Sequence, residues 1–175
     1  MNIKHFARNA AAAILSTIVV ASITGCQQVG NPTAPDAVAG NNGNGSSDLT
    51  VEASFCVSEI NRLRATVGAP ALAQSGTVVA FSNEAAQIDG AAHETHKHFR
   101  ETNGGRGASR AQNEIPWWNL SDWGSVRTVI RQGLATEWAE GPGGSHYENM
   151  TGRYTEVACG ISIKNNEVTV TQDFR

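Results

Sequence analysis

The sequence predicts an α+β domain, with helices first and an antiparallel hairpin at the end, packed as helices on a small sheet. Two observations predict it. Apolar residues recur at helical spacing through the middle of the chain and at period two near its end, and glycine and proline interrupt the pattern at the junctions. Phe55, Ile60, Leu63 and Val67 lie near helical spacing, and Gly68 and Pro70 stop that run. Residues 78–92 read as a second helix, with Phe81, Ala85, Ile88 and Ala92 on one stripe. Ser125 is placed to cap a third, in which Val126, Ile130, Leu134 and Trp138 follow at i+4 intervals, and Gly141-Pro142-Gly143-Gly144 ends it. Then Val157, Cys159, Ile161 and Ile163 alternate with other residues. Asn165-Asn166 makes a turn, and Val168, Val170 and Gln172 continue the hairpin.

A chain of 175 residues, 17% charged and 40% hydrophobic, is long enough for one packed domain and too apolar for wholesale disorder. The formal charge of −3, without a Lys/Arg cluster, excludes a nucleic-acid grip built on general basicity. No internal repeat is present.

The front of the chain reads as an export signal. Lys4 and Arg8 precede residues 10–23, which carry no charge and include Ile14, Leu15, Ile18, Val19 and Val20. That run is shorter than the roughly 20 apolar residues a bilayer span needs. It ends in Ile23-Thr24-Gly25-Cys26, which resembles the lipobox of bacterial lipoprotein precursors. The resemblance implies a signal peptide over residues 1–25, cleavage before Cys26 and acylation of that thiol, hence a membrane anchor. Gln28, where an Asp would favour inner-membrane retention in a diderm host, implies release to the outer membrane, the cell surface or the periplasm. Residues 26–48 form a lipidated tether rich in Gly, Asn and Pro, and residues 49–175 form the domain. With Cys26 consumed, Cys56 and Cys159 remain, and an oxidising compartment predicts that they pair, the competing reading being two buried free thiols.

Four histidines lie in the domain. His93, His96 and His98 crowd together just past the second helix, and His146 follows a glycine-rich loop; Glu114, Glu137 and Glu140 are the carboxylates available to them. Two imidazoles with one or two carboxylates form a donor set that Zn²⁺ accepts. No HExxH or CxxC spacing ties them together, so spacing alone favours a solvated His-rich loop.

The segment Gly144-Ser145-His146-Tyr147-Glu148-Asn149-Met150 resembles the late signature of the CAP superfamily (cysteine-rich secretory proteins, antigen 5, pathogenesis-related 1; the SCP domain). Ser145 stands where the family has the glycine before its histidine. Tyr154-Thr155-Glu156-Val157-Ala158-Cys159-Gly160 is similar to the family's first core strand, and Thr171-Gln172-Asp173-Phe174 to its closing one. Ala111-Gln112-Asn113-Glu114-Ile115 resembles its Gly-Glu-Asn region with Asn before Glu, and Trp138-Ala139-Glu140 its Trp-x-x-Glu helix end, one residue shorter. Asn61-Arg62-Leu63-Arg64 through Gly68-Ala69-Pro70-Ala71-Leu72 matches the opening helix and loop.

The resemblance implies an α-β-α sandwich and a cleft holding two His and two Glu that takes up a divalent metal. Carried onto this chain, those residues are His96, Glu114, Glu140 and His146, with His98 in place of His96 and Glu137 in place of Glu140 as the open alternatives. His93 is expected to cap the helix or face water. Two functions follow as expectations: a tethered binding module for a lipid, sterol or protein surface, or a metal-dependent hydrolase acting on peptides or cell-envelope material. Trp117, Trp118 and Trp123 either line the cleft mouth or anchor their loop, the second being favoured.

Overall fold

Helix α1 (Ser46–Thr66) opens the part of the chain that the computed structural model describes, residues 46–175. It begins three residues inside the segment read as tether. The signal peptide, Cys26 and the rest of the tether lie outside the described residues. After it come α2 (Gly76–Ala92), α3 (Lys97–Gly107), β1 (Ala111–Asn119), the single turn α4 (Leu120–Trp123), α5 (Val126–Ala139), α6 (Ser145–Thr151), β2 (Val157–Lys164) and β3 (Glu167–Phe174). The strands form one antiparallel sheet in the order β1-β3-β2.

The helices expected from periodicity are present as α1, α2 and α5, and the hairpin as β2–β3. Ser125 caps α5, its hydroxyl accepting from the Thr128 N–H. Asn165 and Asn166 both take positive φ, 51° and 65°, as the two-residue turn requires. One difference concerns the hairpin's two faces. Strict alternation anticipates one wet face, yet residues 157–161 and 168–174 are buried throughout. Helix α2 packs on one face and α1 and α5 on the other, so the sheet is the middle layer of a sandwich.

The core lies between the sheet, α1 and α5: Ile60, Ile115, Ile130, Leu134, Val157, Val170 and Phe174 are at most 2% exposed. Cys56 of α1 and Cys159 of β2 sit in it as a disulfide, joining positions 103 apart in sequence. Arg64, 1% exposed, crosses the same layer and donates to the carbonyls of Pro70, Met150 and Gly152, tying α1 to the loop after it and to the end of α6. Burial lowers the pKa of its guanidinium.

Close approach of α2 to β2 depends on Gly160. A Cβ built there would stand 1.9 Å from the Ser82 carbonyl oxygen, and backbone cannot step aside as a side chain can. Gly160→Ala should therefore destabilise the domain by about 3 kcal/mol, the upper end for overpacking, as read from urea denaturation midpoints. A loss below about 1 kcal/mol would show that α2 yields freely.

Candidate metal and ligand cleft

Edge strand β1 supplies the centre of the site. Successive residues of a strand point to opposite faces. Gln112 and Glu114 accordingly meet groups beside α2 and α3, while Asn113 and Ile115 meet α5 and α6. The Asn113 amide donates to the His146 carbonyl (3.1 Å) and accepts from the Asn149 amide (2.8 Å), which fixes the start of α6 against the strand.

The short link between α2 and α3 carries the three clustered histidines, and two of them turn it. His93 and His96 both have left-handed backbone, φ 50° and 56°. His93 is the C-cap of α2 and half exposed; its Nε2 reaches Glu167 at 2.8 Å and its ring stacks on Trp117. The turn at His96 aims its backbone N–H at Glu114 Oε2, 2.7 Å away. The His96 ring stands with Nδ1 2.9 Å from Gln112 Oε1 and 3.8 Å from Glu114 Oε2. His98 occupies another environment: it is buried against Phe81 of α2, with Glu84 3.6 Å from Nε2 and Asp89 accepting its backbone N–H.

The second pair comes from the end of α5 and the start of α6. Glu140 is the C-cap of α5, and residues 141–144 turn the chain back so that α6 opens beside it. Glu140 Oε1 lies 2.5 Å from His146 Nδ1, and Oε2 accepts the His146 backbone N–H at 3.0 Å. These bonds from His146 lower the pKa of Glu140.

A cavity of about 140 Å³ is lined by Glu114, Glu137, Glu140 and His146 together with the apolar Ile115, Pro116 and Trp118; His96 does not border it and reaches it only through Glu114. Drug-sized ligands occupy roughly 300–1,000 Å³, so this space suits an ion, water or one small group of a larger molecule. Two of its carboxyl groups are desolvated. Glu114, 6% exposed, has its pKa raised to about 7 by burial, and its Oε1 has no hydrogen-bond partner. Glu137, 5% exposed, is raised to about 8, again by burial; Oε1 accepts from the Gln172 amide and Oε2 has no partner.

Of the four residues carried over from the resemblance, the structure brings together His96 with Glu114 and Glu140 with His146. Glu114, Glu140 and His146 line one cavity, and His96 lies outside that lining. Among the described residues no three His, Cys, Asp or Glu side chains converge as a metal-ready group. The donor chemistry suits a divalent ion, and Glu114 Oε1 is a buried oxygen in want of a partner, but the side chains stand as two pairs. Glu137, the alternative to Glu140, lines the same cavity. Sequence reasoning assigns no site role to Gln112, Asn113 or Gln172. Gln172 is a polar residue within the readable hairpin, which is the one signal available for it; Gln112 and Asn113 lie in a strand that no periodicity reveals. Trp118 stacks on Trp123 at 4.7 Å and also borders the cavity, so anchoring and lining coincide in that residue.

The model for the Cysteine-rich secretory protein family matches residues 57–174. No curated protein matches the chain. Among solved structures, a cysteine-rich secretory protein from Staphylococcus aureus subsp. aureus Mu50 is similar at 11% identity and a TM-score of 0.49, over 79% of this chain and 43% of that one. The present chain thus spans less than half of that protein's length. On the family match over residues 57–174, the chain belongs to the Cysteine-rich secretory protein family, the CAP superfamily.

Proposed function

We propose that this CAP domain is an exported, membrane-tethered binding module whose cleft takes up a divalent cation, zinc by the nitrogen-and-oxygen character of its donors. His96, Glu114, Glu140 and His146 would hold the ion. The observation that carries the reading is Glu114: a buried carboxyl with one oxygen unpartnered, set between the His96 contact and the cavity that holds the Glu140–His146 pair. A divalent ion there supplies positive charge that replaces the proton on a desolvated carboxylate. Tethering rests on the lipobox-like Ile23-Thr24-Gly25-Cys26, and the Cys56–Cys159 disulfide is consistent with an oxidising compartment. Ile115, Pro116 and Trp118 support a lipid, sterol or protein ligand that enters in part, because the space is too small for a whole sterol.

Calorimetric titration of the full chain with Zn²⁺ tests this. We expect one-to-one binding, weakened at least tenfold by His146→Ala and by Glu114→Gln, and release of the ion on acidification, because protonated donors have no lone pair to offer. Absence of heat with the unaltered chain retires the metal reading.

A second reading, a metal-dependent hydrolase for peptides or cell-envelope material, is supported by Glu137. A carboxyl raised to about 8 still carries its proton at neutral pH and can act as a general acid. It requires turnover that a chelator abolishes and zinc restores.

A further inference from the structure

Both histidines of the cleft have Nδ1 engaged. In His146 the partner is a carboxylate, which accepts only, so Nδ1 carries the proton and Nε2 the lone pair. In His96 the partner is the Gln112 side chain, whose amide has a donor end and an acceptor end. Which end faces the ring is decided one residue further on.

Gln112 and Asp173 are directly opposed across the β1–β3 ladder, so their side chains leave the same face of the sheet. Gln112 Nε2 donates to Asp173 Oδ1 at 3.0 Å, and Gln112 Oε1 stands 2.9 Å from His96 Nδ1. All three are held in place. Asp173 is fully buried, Gln112 is 7% exposed, and the His96 backbone is pinned by Glu114. Above about pH 7, the value to which burial raises its pKa, Asp173 is a carboxylate that only accepts, so the amide presents its NH₂ there and its oxygen to the histidine. An oxygen at 2.9 Å then requires a proton on Nδ1.

We infer that Gln112, aligned by Asp173, is a positioning residue that fixes His96 in the Nδ1–H tautomer and leaves Nε2 as the nitrogen open to a ligand. Neither residue touches the cavity, and neither would meet the ion. Their action passes through the ring, as outer partners of ligating histidines act elsewhere. The relay gives the two histidines the same tautomer by different means, a carboxylate at one and a carboxylate-backed amide at the other. Its purpose rests on the metal reading, but the tautomer exists without metal.

The experiment is long-range ¹H–¹⁵N NMR of the metal-free full chain labelled at histidine, at pH 8. His96 signals are assigned by their loss in His96→Ala. Unaltered protein should show His96 as Nδ1–H. Gln112→Leu removes the acceptor and should let the Nε2–H form appear. Asp173→Asn frees the amide to turn and should give a mixture. Zinc affinity should fall roughly 10- to 100-fold in both variants. His96 found as Nε2–H in the unaltered chain overturns the inference. So does an Nδ1–H form that persists in both variants, which would assign the proton to the Glu114 contact at 3.8 Å. If Gln112→Leu does not fold, Gln112→Asn, too short to reach the ring, tests the same point. If the tautomers behave as expected but the unaltered chain takes up no zinc, the relay stands and the metal reading falls.

Discussion

Reducing the Cys56–Cys159 disulfide, or replacing both cysteines by serine, should lower the stability of the domain by about 4 to 5 kcal/mol. The bond joins residues 103 apart, so it removes from the unfolded chain most of the freedom that a loop spanning nearly the whole domain has. On the chain-entropy account a loop of about 100 residues is worth close to 4.7 kcal/mol. The position adds to the effect. Cys56 is fully buried and Cys159 is 1% exposed, so serine hydroxyls would enter an apolar cluster containing Ile60, Val157 and Phe174. Guanidinium denaturation with and without dithiothreitol measures it directly, and coincident midpoints would show that the bond holds nothing. The size of the effect also bears on where the protein works. A domain whose net stability is of the usual order, about 5–15 kcal/mol, retains little of it in a reducing compartment.

How much of the molecule is legible in its sequence depends on which signal each residue carries. Helices α1, α2 and α5 and the terminal hairpin are readable because apolar side chains mark one face, and Ser125 and Asn165-Asn166 mark ends. Pairing of Cys56 with Cys159 is legible once Cys26 is assigned to acylation, which leaves an even count in an oxidising compartment. Helix α3 is not readable. Its sequence, KHFRETNGGRG, has no apolar stripe, and residues 103–106 leave right-handed backbone altogether, with φ between 52° and 63°. Strand β1 is hidden for the opposite reason. Four residues of its first half are buried, yet three of them, Gln112, Asn113 and Glu114, are polar and only Ile115 is apolar, so no hydrophobic alternation exists to detect. Trp117, with φ 49°, then breaks the register between Ile115 and Trp118. For the same reason the cleft is only half visible. Glu140 and His146 stand six residues apart across a glycine-rich loop, a separation short enough to suggest contact. Gln112 and Asp173 meet only through strand register, which no local pattern encodes. Glu137 is visible as a carboxylate but not as a buried one, because its environment is set by packing on Gln172.

Burial of Glu137 has the second large consequence: without metal, the protein should become less stable as pH rises from about 5 to 8, and Glu137→Gln should remove much of that slope. The carboxyl binds its proton up to about pH 8 when folded but only up to about 4.5 when unfolded. Between those values the folded state holds more protons, so stability falls with rising pH. The contribution is complete below about pH 4.5 and gone above about pH 8. At about 1.4 kcal/mol per pH unit the loss between about pH 5 and 8 is roughly 4 kcal/mol for Glu137 alone. Glu114 and Asp173, each raised to about 7 by burial, add to the slope in the same sense. Glutamine keeps an oxygen for the Gln172 amide and never ionises, so the variant should match the unaltered chain at about pH 5 and exceed it at about pH 8. Thermal unfolding in a chelator across that range decides the matter, and parallel profiles for the two chains would exclude Glu137 as the source. Zinc sharpens the test. An ion that stabilises ionised carboxylates in this cavity should raise the melting temperature more at about pH 8 than at about pH 5, because only at the higher pH does it relieve buried negative charge. An equal rise at both pH values would place the ion elsewhere.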